Sequence, residues 1–243
     1  MGKEEMMKRV VIGILCVGLV LLSASFAGAS LKVSVNAGYY DPDYGQINEE
    51  LSVLSAGTGM NLGFDSGFIY GLSIAGEIGD RLEARLEYDS FSSKTSGEFT
   101  DSYVDLDEVT HTFKNSMKME LTVSPVILSL VYRFPGASLS PHVGVGLGLF
   151  STKLTGESWY REYEDGDLVD FSFDRGAYDD DPVGFLVLAG LTKNIGKNFV
   201  LRGEVRYIFS AKATFTDETV SPPWSVDCDL GGFMGNVGVE CRF

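Results

Sequence analysis

The chain has 243 residues, a formal net charge of −15, 44% hydrophobic and 12% aromatic residues, 29 glycines and 7 prolines. That composition excludes a disordered tail, a collagen and a disulfide-stapled miniprotein. A pI near 4.5 argues against nucleic-acid binding, which needs clustered Lys and Arg, and a mean hydropathy of +0.08 is too low for a bundle of membrane helices.

Lys3, Lys8 and Arg9 lead into an apolar run of 13 residues, 10–22, and Ala27-Gly28-Ala29 supplies a small-residue cleavage site before Ser30. Residues 1–29 read as a secretory signal peptide and residues 30–243 as the mature domain. An uncleaved anchor is the weaker reading, because the run falls short of the ~20 residues that span a bilayer. Lipidation would need a Cys at the cleavage point, and Cys16 lies inside the apolar run.

After Ser30, period-two alternation recurs eight times. The first strand sets Leu31, Val33, Val35, Ala37 and Tyr39 against Lys32, Ser34 and Asn36. The second sets Phe68, Tyr70, Leu72 and Ile74 against Gly71, Ser73 and Glu77. The third sets Leu82, Ala84, Leu86 and Tyr88 against Arg81, Glu83, Arg85 and Glu87. In the fourth, Met117, Met119, Leu121 and Val123 alternate with Lys118 and Glu120. The phase then flips at Pro125, so that Leu128, Leu130, Tyr132 and Phe134 oppose Ser129 and Arg133. A bulge would account for the flip and the proline together. The fifth strand alternates Val143, Val145, Leu147 and Leu149 with Gly144, Gly146 and Gly148. The sixth carries Phe185, Val187, Ala189 and Leu191. The seventh sets Phe199, Leu201, Val205, Tyr207 and Phe209 against Arg202, Glu204 and Arg206. The eighth sets Phe233, Val237, Val239, Cys241 and Phe243 against Asn236, Glu240 and Arg242.

Three connections are short and four are long, residues 41–66, 91–116, 152–181 and 211–230. Short turns at one end and long loops at the other are the pattern of an eight-stranded antiparallel transmembrane β-barrel with short periplasmic turns and long extracellular loops. The long loops hold 24 acidic and 6 basic residues. The expected interior holds Glu77, Glu83, Glu87, Glu120, Glu204 and Glu240 with Lys32, Arg81, Arg85, Lys118, Arg133, Arg202, Arg206 and Arg242. The lipid-facing side is then nearly uncharged, as a bilayer requires at about 2–4 kcal/mol per charge at mid-depth. Aromatics sort to both strand ends, Tyr132, Phe134, Phe199 and Phe243 by the short turns, and Tyr39, Phe68, Tyr70, Tyr88, Phe150, Phe185, Phe209 and Phe233 by the long loops, as two interfacial belts would.

The segment from Tyr132-Arg133-Phe134 through Ser140-Pro141-His142-Val143-Gly144-Val145-Gly146-Leu147-Gly148, and the final alternation ending in Phe243, resemble the small outer-membrane β-barrels of the OmpA-like, OmpX-like and OmpW-like kind. The resemblance implies that Phe243 is read by the barrel assembly machinery, that outer-membrane lipids and lipopolysaccharide surround the chain, and that it is a monomer in the outer membrane. The function expected on this basis is non-enzymatic: envelope integrity or surface contact through the acidic loops. The alternative is an OmpW-like conduit for small apolar molecules, for which the space left by Gly144, Gly146 and Gly148 is the foothold. Close packing of long Arg side chains over those glycines is the competing reading.

Inside so narrow a barrel the charges are expected to pair as a plug, Glu77 with Arg81 or Arg85, Lys118 with Glu87, Arg202 with Glu240, and Lys32 with Glu240 or Arg242. No cofactor or metal is expected. Residues 41–50 faintly resemble a calcium loop but lack its ligand spacing. Glu162 to Asp167 and Asp179-Asp180-Asp181 read as solvated acidic runs. Residues 46–54 could form a short helix. Catalysis has one weak constellation, His111 with Ser102 or Ser116 and a loop acid, since His142 lies toward the other end. Cys228 and Cys241 are expected to stay free, because roughly ten extended residues hold them about 33 Å apart.

Overall fold

The computed structural model describes residues 31–136, 139–218 and 223–243; the signal-peptide reading of residues 1–29 falls outside them. Its strands are β1 (Leu31–Tyr44), β2 (Gly67–Ile78), β3 (Leu82–Val104), β4 (Thr110–Arg133), β5 (Ser140–Glu164), β6 (Asp167–Asp180), β7 (Val183–Asn194), β8 (Phe199–Phe209), β9 (Lys212–Asp217) and β10 (Trp224–Arg242). One helix, α1 (Gln46–Thr58), follows β1. Eight strands form an antiparallel ring in the order β1-β2-β3-β4-β5-β7-β8-β10. Pairing of β10 with β1, from Lys32↔Arg242 to Pro42↔Gly232, closes it. Closure leaves no strand edge unpaired in lipid, which is the condition for a sheet to cross a membrane.

Strand lengths divide the molecule by height. β2, β7 and β8 have 12, 12 and 11 residues, close to the ~9–11 that a tilted strand needs to cross a bilayer. β3, β4 and β5 have 23, 24 and 25, so their outer halves stand above it. Three of the four expected long loops, 91–116, 152–181 and 211–230, are mostly sheet. β6 pairs with β5 in the same register as β7, and β9 pairs with the upper part of β10. The turn between β5 and β6 is Asp165-Gly166, both at positive φ (48° and 95°), a two-residue hairpin whose twist matches the flanking strands.

The expected bulge at Pro125 is not there. β4 pairs with β5 without interruption from His111↔Glu164 to Arg133↔His142. On its other side the ladder to β3 merely skips from Tyr88↔Val126 to Phe91↔Val123 in unchanged register, where Pro125 has no N–H to donate. Met117, Met119, Leu121 and Val123 accordingly share the interior face with Ile127 and Val131, and Lys118 and Glu120 point outward. The apparent phase flip has a different cause. Within the bilayer the outside is apolar and the lumen polar; above it the outside is water and the interior is an apolar core. Phe150 follows the same inversion and is fully buried rather than in the outer aromatic belt.

That core fills the upper lumen. Tyr40, Ile69, Phe91, Val123, Ile127, Phe150, Leu186, Ile208 and Met234 belong to one buried cluster. Above them α1 lays Ile47 and Leu51, one helical turn apart, onto the cluster. Asn48 pins the following loop, donating from Nδ2 to the Phe64 carbonyl at 2.9 Å and accepting the Phe64 N–H at 2.8 Å. The Gly59 N–H caps the helix on the Ser55 carbonyl at 2.7 Å, with Gly59 at φ 75°. The helix is thus a lid, longer than residues 46–54. Among the described residues no helix is long and apolar enough to cross a membrane. Cys228 and Cys241 both lie on β10 and are free thiols.

Candidate functional site

Below the apolar storey the lumen is an ion network. Its cations are Lys32, Arg85, Arg133, Arg202, Arg206 and Arg242, and its carboxylates are Glu77, Glu83, Glu87, Asp89, Glu204 and Glu240, so the two signs balance. Alternation puts them there: each sits on the inward register of a strand whose outward register is apolar.

At the periplasmic end Lys32 Nζ lies 2.5 Å from Glu77 Oε1 and 2.8 Å from Glu83 Oε2. Glu83 also accepts from Arg133 and, through Oε1, from Arg85 Nη2 at 3.0 Å. Glu240 lies 3.7 Å from Arg133 Nη2 and accepts Arg242 Nε at 3.4 Å. One level up, Arg85 Nη1 donates to Glu204 Oε2 at 2.8 Å, and Arg206 donates through Nε to Glu204 at 2.6 Å and through Nη2 to Glu87 at 2.5 Å. His142 Nε2 is 3.0 Å from Glu204 Oε2. Asp89 lies 3.6 Å from Arg206 Nη1 and accepts Asn36 Nδ2 at 2.7 Å. Arg202 is 3.7 Å from Glu87, and among the described residues its terminal nitrogens have no hydrogen-bond partner. Buried charges survive only when paired and hydrogen-bonded, and here most are cross-linked to more than one partner.

The structure corrects three members of the expected interior. Arg81 lies in the exposed turn after Gly79, beyond the last ladder pair, and donates to the Tyr132 hydroxyl at 3.1 Å outside the lumen. Lys118 stands over the outer face of Trp159, 5.2 Å from its ring. Glu120 pairs outside with Lys94 at 3.2 Å and accepts Ser92 Oγ at 2.8 Å. Lys118 and Glu120 lie above the membrane, where the charged register is the outer one. The expected pairs of Lys118 with Glu87, Arg202 with Glu240 and Glu77 with Arg81 therefore give way to those above. Lys32 takes Glu77 and Glu83 instead of Glu240 or Arg242. Two members were missed from the sequence: Asp89, which continues the Glu83-Arg85-Glu87 register and could have been read from it, and His142, whose inward register follows from its spacing to Gly144.

The three inward glycines hold neither open space nor Arg side chains. A Cβ on Gly146 would meet Leu186 Cγ at 3.1 Å, and one on Gly144 would meet Leu188 Cδ1 at 3.1 Å. Leu188 and Leu186 of β7 lie over Gly144 and Gly146, and Phe150 and Ile127 cover Gly148. At the chain end Phe243 is exposed, and its N–H donates to the Leu31 carbonyl at 2.9 Å, beside the closing seam.

The outer sheet formed by the upper parts of β3, β4, β5 and β6 carries the other candidates. Ser102 and Ser116 lie on its opposite face from His111: Ser102 bonds Thr112 and Ser116 bonds Glu98. The serine-histidine constellation is therefore not assembled. His111 instead meets Asp105, Glu162 and Glu164. The run Glu162 to Asp167 spans the end of β5, the Asp165-Gly166 turn and the start of β6. Asp41 and Asp43 are strand residues and Glu49 and Glu50 are helical, so residues 41–50 do not wrap as a calcium loop. Asp180 accepts the Thr214 N–H at 2.7 Å and the Asp181 N–H at 2.8 Å. On the outward face Lys94, Lys118 and Arg175, with Glu120 and Glu157, line a cleft of about 330 Å³ above the upper aromatic belt.

No family model and no curated protein matches the sequence. Solved structures do match the fold. Outer membrane protein OprG from Pseudomonas aeruginosa superposes with a TM-score of 0.51 at 15% identity, covering 89% of this chain and 96% of that one. Neisserial surface protein A (NspA) gives a TM-score of 0.50 at 16% identity, covering 89% and 99%. Closed ring, sorted charge and these likenesses agree: the chain has the fold of the small eight-stranded outer-membrane β-barrels.

Proposed function

We propose that this protein is a non-enzymatic outer-membrane anchor for a surface-exposed, acidic β-sheet, acting in envelope integrity or surface contact rather than in transport. One observation carries the reading. The lumen is filled twice over, by a balanced ion network below and an apolar core lidded by α1 above, whereas β3, β4 and β5 invest about half their length beyond the bilayer. Such a fold spends its residues on closing the pore and raising a platform. The cleft of Lys94, Lys118 and Arg175 supports lipopolysaccharide as a neighbour, because it gathers three cations on the outer wall of an otherwise acidic surface, two of them paired with Glu120 and Glu157 and Lys118 left as the excess charge.

Protease treatment of intact cells together with planar-bilayer recording tests the reading. Cleavage in the β3–β4 and β5–β6 hairpins without discrete conductance steps is the expected result. Steps from the wild-type protein would overturn it.

A second reading, the conduit for small apolar molecules, has one observation in its favour. The upper lumen, with Ile69, Phe91, Phe150 and Ile208, is apolar, and Leu188 and Ile127 extend apolar wall down to the level of Arg206 and Glu87, their cross-strand partners. A crystal structure in which a detergent tail displaces these side chains would favour the conduit; the same packing with and without detergent supports the anchor.

A further inference from the structure

We propose that His111, Glu162 and Glu164 form a binding site for a divalent transition-metal ion of zinc-like chemistry at the far end of the extracellular sheet.

The strands bring the three together. His111 opens β4 and is the direct cross-strand partner of Glu164 at the end of β5; Glu162 lies two residues before Glu164 and so on the same face. One ligand atom from each lies within 4.8 Å of the others. His111 Nδ1 is 3.7 Å from both Glu162 Oε1 and Glu164 Oε1. Those distances are too long for hydrogen bonds, and Nδ1 is shut off from solvent with no hydrogen-bond partner among the described residues. Tetrahedral zinc with bonds of about 2.0–2.2 Å holds its ligand atoms about 3.4 Å apart, a few tenths of an ångström closer than His111 Nδ1 stands to either carboxylate, so the two glutamates have to draw in around the ion.

The other ring nitrogen supplies a separate observation. Asp105 Oδ2 lies 3.2 Å from His111 Nε2, while Oδ1 of the same carboxylate accepts the N–H groups of Asp107 and Val109, both at 2.9 Å. The turn between β3 and β4 thus clamps a carboxylate against Nε2, and Tyr103 stacks on the ring at 4.9 Å between centroids. A carboxylate behind an imidazole holds the proton on the nitrogen that faces it, here Nε2, and leaves the Nδ1 lone pair free, which is the usual support for a metal-ligating histidine. With the proton on Nε2, Nδ1 faces the carboxylates of Glu162 and Glu164, and no donor bonds it among the described residues. A cation between them turns mutual repulsion into coordination. The imidazole selects borderline metals over calcium and magnesium, which prefer all-oxygen shells. Three protein ligands leave a position open toward solvent, since Glu164 is about half exposed. The bond would staple the β3–β4 turn, β4 and the end of β5 together.

The sequence holds two histidines, so ¹⁵N-histidine NMR of the folded barrel in detergent micelles reports each directly. Addition of ZnCl₂ is expected to move the His111 Nδ1 resonance at one equivalent and to leave His142, buried in the lumen, unmoved. By calorimetry His111→Ala and Glu162→Gln/Glu164→Gln should each weaken zinc at least tenfold. Asp105→Asn should weaken it about 10–100-fold through the lost second contact. Glu157→Gln, on the opposite face of the same strand, should leave it unchanged. Heat-dependent electrophoretic mobility verifies that each variant is folded. An unmoved His111 resonance, zinc binding that survives His111→Ala, or displacement of zinc by equimolar calcium would each overturn the site.

Discussion

Arg85 and Glu204 meet across the lumen from opposite walls: Nη1 on β3 lies 2.8 Å from Oε2 on β8, and three strands separate the two around the ring. Arg206 answers from β8 to Glu87 on β3 at 2.5 Å. These reciprocal bonds tie the barrel across its diameter. Arg85→Ala or Glu204→Ala leaves the buried network one charge out of balance, although Glu204 keeps Arg206 and Arg85 keeps Glu83, and should destabilise the folded barrel by about 3 kcal/mol. Replacing both by Met and Leu should cost less than either single change, because the remaining buried charges again balance. Urea unfolding in phospholipid vesicles measures both.

Leu186 and Leu188 use the space that Gly146 and Gly144 leave open. Gly146→Val should therefore overpack the wall and cost about 1–3 kcal/mol. Leu186→Ala in the same chain should recover part of the loss. The comparison of single and double variants by the same unfolding assay checks that the two positions share one volume.

The lid and the ion network are stacked in series. Replacing α1 by a short Gly-Ser linker should give no discrete conductance steps, because the paired charges still close the lumen beneath it. Exchanging Arg85, Glu87, Glu204 and Arg206 for Ser in that background should produce them. Single-channel recording distinguishes the two, and conductance on loss of α1 alone would show that the lower network is permeable.

Lys94, Lys118 and Arg175 line the outward cleft. Their combined change to Ala should lower the amount of lipopolysaccharide that co-purifies with the barrel and flatten its dependence on salt, since exposed charges act within a Debye length of about 10 Å at 0.1 M. Phosphate assay of protein purified at two ionic strengths is the measurement.

The inversion at the membrane surface explains what was readable. Period two, short and long connections and the terminal aromatics came directly from the order of residues, because lipid forces every spanning strand to put apolar side chains on one face and polar ones on the other. The same alternation continues up β4, and nothing in the residues marks where lipid ends. Met117 to Val123 look like more lipid-facing wall, although they face a core. Lys118 and Glu120 were misplaced for that reason. The Asp165-Gly166 hairpin is legible by its turn chemistry, although the acidic run around it masks the strands on either side.

By itself, then, the chain determined a closed β-barrel with a charged interior and an apolar exterior, since alternation is a local property that each strand expresses independently. The tertiary structure alone decided which charge meets which, that the upper lumen is an apolar core under a helix, and that His111 faces Glu162 and Glu164. Those facts depend on register and on contacts between residues 50 to 119 positions apart, and no local pattern encodes them.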